Sequence, residues 1–343
     1  MKKLMLASAG LLFSLSGQAG ELVFASWGGA YQDAIRNAWL TPFSEQTNIE
    51  IIEDTDPETA KIKVMVDTNS MIWDVVSGGG VAFIRGVQLG LFEAIPQDQV
   101  DQSHVLDDAR KAYGVPTEIY SNLVGYSLTS FPDGKEQPQS FADFWNIERF
   151  PGKRTLPAKP ETVLEAALLA EGVPPSEVYA VLSTPEGLDR AFNKVEELLP
   201  HVSVFWSSSA QPVQMLGSGE VTLAIGSNGR FQSGIDHGLP IAMSWNEQVP
   251  QVGYMMIPKG AENIEEAMAF LNFILKPENN AKLSEYVSYG PITESAWDYI
   301  DEERAKRLPS TPERLERAVF VDTVWWSENS LEVTERYTRL IKG

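Results

Sequence analysis

From residue 20 onward the chain alternates short unbroken apolar runs with longer stretches in which apolar residues recur every three or four positions. Leu22 to Ala25 is the first run; Ser26-Trp27-Gly28-Gly29 breaks it, and Tyr31, Ile35, Ala38, Trp39 and Phe43 follow at helical spacing. This predicts a buried strand, a glycine turn, and an amphipathic helix whose apolar face, Tyr31 included, points inward. The cycle then repeats. Ile49 to Ile52 reads as a second strand, Ala60, Met65 and Val66 lie on the next helix, and Trp73-Asp-Val-Val76 is a third strand ending in Ser77-Gly-Gly-Gly80. Asn122-Leu-Val-Gly-Tyr-Ser127 is a candidate crossing between two domains. Beyond it, Thr162 and Glu165 are spaced as a capping box, Thr184-Pro185 opens another helix, and Val221 to Ile225 is a strand leading into Ser227-Asn-Gly-Arg-Phe231. Tyr254 to Ile257 is a returning strand, and the helix carrying Ala267, Phe270, Leu271, Ile274 and Leu275 stops at Pro277. Strands and helices that alternate in this way predict an α/β fold on a mainly parallel, doubly wound sheet.

Composition narrows the class. The 343 residues suffice for two domains, and 43% hydrophobic content allows substantial cores. Lys2, Lys3, the apolar run from Leu4 to Leu15, and small residues at Gly17 and Ala19 read as a signal peptide over residues 1–19. Loss of the two lysines would take the formal charge from −20 to −22. So acidic a balance argues against nucleic acid and is compatible either with attraction of cationic ligands or with a merely solvated surface. With no cysteine, disulfides, thiolate metal sites, a cysteine nucleophile and a lipidated N-terminal cysteine are all excluded. The expectation is a monomer diffusing freely in the periplasm.

Several stretches resemble one family. Ala25-Ser-Trp-Gly-Gly-Ala-Tyr31 and the segment from Phe43 to Ile51 look like the opening of the spermidine/putrescine-binding proteins, periplasmic substrate-binding subunits of ABC importers. The likeness returns at Trp73 to Val76, Ser140 to Trp145, Gly219 to Ile225, Asn228-Gly-Arg230, Ile257 to Gly260 and Ala267 to Pro277, in the family's order. It implies a type II periplasmic-binding-protein fold: two α/β lobes, ligand in the cleft between them, and closure by hinge motion. On that basis lobe 1 is expected from residues 20–127 and 252–296, and lobe 2 from 128–251 and 297–343. The partners implied are a small-molecule ligand and a membrane permease, with no cofactor.

The chemistry expected in such a cleft starts from aromatic faces, which attract ammonium groups and pack on alkyl chains. Trp27, Tyr120, Trp206, Trp245, Tyr254, Tyr289, Trp325 and Trp326 fall in or beside predicted turns, and the resemblance places Trp27 and Tyr289 at the cleft. Packing is the competing role for each of the others. The amine-pairing acids of polyamine binders look depleted. Ser227 stands where the family has Trp, Gly253 where it has Asp, and Gly28 and Gly29 where polar or acidic residues follow Trp27; Glu161 lies near the remaining acidic position. Arg230, at a helix start where free N–H groups favour an anion, either anchors a carboxylate or phosphonate or pairs with Asp236 or another acid. Ser207, Ser208 and Ser209 offer hydroxyl contacts or a helix cap. Ser77 and Gly79 belong to a glycine run through which backbone can approach a ligand. The candidate ligand-binding set is Trp27, Gly28, Gly29, Ser77, Gly79, Tyr120, Ser227, Asn228, Arg230, Gly253, Tyr254, Tyr289 and Trp326. The expected ligand is a small organic amine, polyamine-like or zwitterionic, with an anionic solute as the alternative. His104, His201 and His237 show no metal-ligand spacing, and no nucleophile elbow is present. No catalytic residue is marked, and a secreted hydrolase is a remote alternative.

Overall fold

A computed structural model describes residues 20–106 and 109–343; the signal segment expected at residues 1–19 lies outside them. The strands are β1 (Glu21–Ser26), β2 (Glu50–Thr55), β3 (Val75–Gly79), β4 (Val115–Ser127), β5 (Arg154–Pro157), β6 (Val202–Trp206), β7 (Leu223–Ser227), β8 (Ile241–Met243), β9 (Val249–Met256) and β10 (Gly290–Pro291). They hydrogen-bond in the order β2-β1-β3-β9-β4-β7-β5-β6, with β8 and β10 also paired to β4. β1 runs parallel to β2 and β3, and β5 runs parallel to β6 and β7. The parallel expectation fails in the middle. β9 is antiparallel to β3 and β4, and β4 is antiparallel to β7, because these two long strands carry the chain between halves instead of returning through a helix.

Those two strands share two cores. Val115 and Ile119 of β4 pack with Leu22, Phe24, Trp39, Phe270 and Ile274, whereas Val124 and Tyr126 pack with Phe144, Leu156, Leu168 and Ile225. Likewise Val249 of β9 belongs to the second core, and Met255 to the first. Val124 and Tyr126 thus pack in the second core although they precede the boundary expected at residue 127. The tail joins that second core through Val319, Trp325, Trp326, Val333 and Tyr337, and its last helix, Thr323–Lys342, touches the first half where Gln88 Nε2 donates to Ser327 Oγ at 3.0 Å.

Local rules account for most element ends. Thr184 caps the helix Pro185–Leu198 by accepting from the Gly187 N–H, and Pro277 ends one helix by starting the next, Pro277–Tyr286. Asp74, just ahead of β3, is buried and accepts from Val23 N, Glu262 N, Asn263 N and Asn263 Nδ2 at 2.8–3.1 Å, tying β1 and β3 to the helix Ile264–Leu275. The capping box expected at Thr162 and Glu165 does not form. Thr162 has φ 75° and its hydroxyl accepts from Asn122 Nδ2 at 3.0 Å, while Glu165 points into the second core and accepts from Tyr179 Oη and Trp326 Nε1. Nor do the serines at 207–209 cap a helix; the Gln211 side chain takes the Ser207 and Ser208 N–H groups instead.

Trp326 is 0% exposed and its indole N–H is bonded to Glu165 at 2.7 Å. It closes the second core and offers no face to a cleft. Trp326→Ala should therefore destabilise the protein by about 3–5 kcal/mol through the cavity it leaves and the lost indole donor; equilibrium urea unfolding measures this directly.

Candidate ligand-binding site

Between the two cores lie Tyr120 and Ser121 of β4 and Pro250 and Gln251 of β9, paired to one another and members of neither hydrophobic cluster. The carboxyl ends of β1, β3 and β7 lead to the same region. After β1 the chain turns through Gly28 and Gly29 at φ 64° and 57°, conformations that glycine adopts without strain, and Trp27 stands 40% exposed on that turn. After β7 the helix Asn228–Asp236 begins, with Ser227 at its N-cap. A Cβ at Gly29 would sit 3.6 Å from Arg230 Nη1, so the guanidinium of the second half lies against the turn of the first.

Arg230 is half-buried and takes no hydrogen bond and no ion pair among the described residues. Asp236, one of the two alternatives for its partner, is engaged with Arg307 at 3.4 Å and accepts from Gln232 Nε2 at 2.9 Å. A cation left unpaired beside a helix N-terminus makes a site for an anion.

Facing it is a tyrosine cluster. Tyr289 is 8% exposed; its ring centroid is 5.8 Å from that of Tyr31 and 5.5 Å from that of Tyr120, and its hydroxyl lies 3.3 Å from Ser227 Oγ. Tyr31 Oη donates to Glu118 Oε1 at 2.6 Å, and Tyr120 Oη donates to Gln251 Oε1 at 3.0 Å. Tyr31 thus packs against the first core, on the inward face where helical spacing put it, while its hydroxyl finds an acceptor in Glu118. Glu118 is 2% exposed, and burial pushes its carboxyl above the ordinary carboxylate range, with the Tyr31 and Thr117 hydrogen bonds opposing. Burial likewise raises Tyr289, a rise that Arg230 opposes and Glu118 reinforces, so this hydroxyl feels both charges. Glu161 approaches Tyr120 from the second half, and its own carboxyl is raised by burial.

The glycines and serines have specific surroundings. A Cβ at Gly79 would meet Tyr120 Oη at 3.0 Å, and one at Gly253 would collide with the Glu118 carboxylate. Ser77 is buried with no partner for its Oγ among the described residues. Other candidates are spent on structure. Tyr254 stacks on Phe83 at 4.5 Å inside the first half, and Asn228 ties three segments by accepting from Ser121 N at 3.0 Å and donating to the Ser288 carbonyl. Trp206 donates to the Ile225 carbonyl, and Trp245 lies under Arg314. Sequence reasoning passed over Tyr31 and Glu118. The available signal was Glu118 itself, an acid inside a stretch patterned for burial. A cavity of about 470 Å³ opens beyond Arg230, walled by Ala30, Tyr31, Gly229 and Tyr289. A second, of about 1060 Å³, is bounded by Ile119, Tyr254, Ile292 and Phe320 and includes neither Trp27 nor Arg230 in its wall.

Residues 38–310 match the family described as bacterial extracellular solute-binding protein. The chain belongs to that family. It is similar to the gamma-aminobutyric acid-binding protein of Pseudomonas aeruginosa, with 34% identity over 96% of this chain and 93% of that one. It is also similar to the spermidine/putrescine-binding periplasmic protein of Escherichia coli, with 23% identity over 83% of this chain and 82% of the other. Among solved structures, an ABC transporter substrate-binding protein from Bradyrhizobium japonicum superposes with a TM-score of 0.88 and 35% identity, covering 94% of this chain and 99% of that one. The fold is thus the two-lobed one of periplasmic substrate-binding proteins. This solute-binding protein has, among its described residues, no helix long and apolar enough to cross a membrane.

Asn228 and Trp27 should separate cleanly on mutation. Asn228→Ala should cost about 1–3 kcal/mol by leaving the buried Ser121 N–H and Ser288 carbonyl unpaired, whereas Trp27→Ala, at an exposed turn, should stay within about 0.5 kcal/mol of the parent. Thermal denaturation of the two variants side by side tests the contrast.

Proposed function

We propose that this protein is the periplasmic solute receptor of an ABC importer for small zwitterions that carry a carboxylate and, several atoms away, an ammonium group. The observation that carries the reading is Arg230, a half-buried guanidinium at a helix N-terminus that no acid among the described residues takes. A carboxylate can accept a bidentate pair from it, with Ser227 and the helix N–H groups adding to the same end. The rest of the ligand then meets Trp27 and Tyr120, with Tyr289 between the two ends and Glu118 and Glu161 as the acids. An arrangement with a cation at one end and carboxylates at the other is complementary to a zwitterion. It is less suited to a diamine, one of whose ammonium groups would face Arg230.

Relatives lie on both sides of this choice, since one binds gamma-aminobutyric acid and others bind spermidine or putrescine. The lack of an acid at Gly253 and of a polar side chain after Trp27 favours the former. The two cores would act as lobes hinged where β4 and β9 cross, and the ligand would bias them toward a closed form that the permease reads.

A thermal-shift screen of the mature chain against amino acids, opines, diamines and simple carboxylates tests the assignment, because a binder of the folded state raises Tm by mass action. Zwitterions should shift Tm and putrescine should not; a shift with putrescine alone refutes it. Arg230→Ala should weaken the best zwitterion by at least about a hundredfold, the scale for truncating one side of a buried charge pair, and titration calorimetry gives the ratio. Trp27→Ala should cost about tenfold through lost ring contact.

A further inference from the structure

At the foot of β1, far from the cleft, the backbone rests against a carboxylate. Gly20 is half-buried, and its carbonyl accepts from Glu50 N at 2.8 Å, extending the β1–β2 ladder by one step. A Cβ built on Gly20 would lie 2.7 Å from Glu266 Oε1 and 3.0 Å from Glu266 Cγ. By covalent geometry the Gly20 nitrogen is about 2.5 Å from that Cβ position, which puts it within about 5 Å of Oε1.

Glu266 is half-buried in the first turn of the helix Ile264–Leu275 and takes no hydrogen bond and no ion pair among the described residues. It stands at the third helical position, from which a glutamate can reach back to the N-cap N–H. That N–H belongs to Asn263 and is already taken by Asp74 Oδ1 at 2.9 Å. The surroundings are acidic. Glu21 stands opposite Glu50 across the β1–β2 ladder, and Glu262 and Glu265 precede Glu266 in the chain. β1, β2 and this helix carry no lysine, arginine or histidine. Like charges opposed on a ladder are destabilising, and a half-buried carboxylate without a cation gives up solvation for nothing.

We propose that the missing cation is the α-ammonium of Gly20, created when the signal peptide is removed between Ala19 and Gly20, and that Glu266 is the site that captures it. The inference rests on the cleavage position read from Gly17 and Ala19, and it is independent of which solute the cleft takes. The covalent step is a hydrolysis. A signal peptidase adds water across the Ala19–Gly20 peptide bond; the Ala19 carboxyl gives up a proton and the Gly20 amine takes one, leaving a carboxylate and an ammonium. As an amide, the Gly20 nitrogen is neutral; as an ammonium, it brings three donors beside Glu266 Oε1, in the field of Glu21 and Glu50. A side chain at residue 20 would push Glu266 aside, so the pocket fits a chain that begins with glycine. Processing therefore fixes the foot of β1, and the processed chain is the more stable form. An amine that gains an acidic partner has a raised pKa in the folded state. Its stabilisation is complete below the unfolded value of about 8 and is lost as pH rises through the folded one.

The experiment compares thermal unfolding of four proteins: the chain beginning at Gly20, the chain that retains Gln18 and Ala19 ahead of it, and Glu266→Gln in each. Retaining two residues moves the ammonium up to about 7 Å along the chain and leaves an amide at Gly20. At pH 7, Glu266→Gln should lower the Tm of the chain beginning at Gly20 by about 2 °C, the size expected of a partly exposed ion pair in a protein this large. It should leave the Tm of the extended chain unchanged, and by pH 10 the difference in the first pair should vanish. The acylation rate of the terminal amine, followed across pH by mass spectrometry, should report a pKa at least about half a unit higher in the parent than in Glu266→Gln. Equal Tm losses in the two chain lengths, or equal amine pKa values in the first pair, overturn the Glu266 site. So does an exported product whose intact mass shows a first residue other than Gly20.

Discussion

Two strands belong to both hydrophobic cores at once, and the rest of the molecule is arranged around that constraint. β4 enters the first core at Val115 and leaves the second at Tyr126; β9 runs the opposite way, from Val249 to Met255. Their ladder stays paired across the gap, from Ile119↔Val252 to Asn122↔Val249, so the backbone is satisfied there without help from a core. In the middle of that stretch Tyr120, Ser121, Pro250 and Gln251 belong to neither core. Tyr120 and Gln251 bond to one another across the ladder, and Glu118 is tolerated a step away because Gly253 makes room for it.

Around that crossing the charges are segregated. The second half offers a guanidinium at a helix N-terminus; the first offers an acid behind a tyrosine hydroxyl. Partly buried charges such as these interact more strongly than those on the surface, where the chain's −20 formal charge is screened by solvent and salt. Ion pairs such as Lys63–Asp67 and Lys306–Glu303 lie on exposed helix faces and contribute little by comparison. The tyrosines also couple the two ends, because Tyr289 touches Tyr31 and Tyr120 and feels both Arg230 and Glu118. Asn228, by contrast, holds Ser121 and Ser288 in place and gives the helix its fixed starting point.

Much of the architecture was readable from the chain. The run at Leu22 to Ala25 and the glycine pair after it gave β1 and its turn, and a period-3.6 pattern placed the helix that stops ahead of Pro277. Family likeness was readable too, because βα turns such as Ser26 to Gly29 and Ser227 to Arg230 are local words whose backbone demands do not depend on distant partners. What periodicity misjudged were residues with two compatible fates. Trp326 sits beside a predicted turn in sequence but in the middle of a core in space. Thr162 and Glu165 have the spacing of a capping box, yet Asn122 and Trp326 outbid the helix end for their side chains.

The sequence by itself determined which segments become strands and helices, where backbone must turn, and which family of folds those pieces build, since propensity, spacing and turn chemistry act over a few residues. Only the tertiary structure decided which polar groups end up without partners. Whether Arg230 pairs with Asp236, whether Glu118 finds a cation, and whether Gly253 is a turn residue or a vacancy for a carboxylate each depend on segments more than a hundred residues apart or on neighbours already engaged elsewhere. Burial and pairing are properties of the assembled contacts, and a single sequence lists the groups without saying which of them meet.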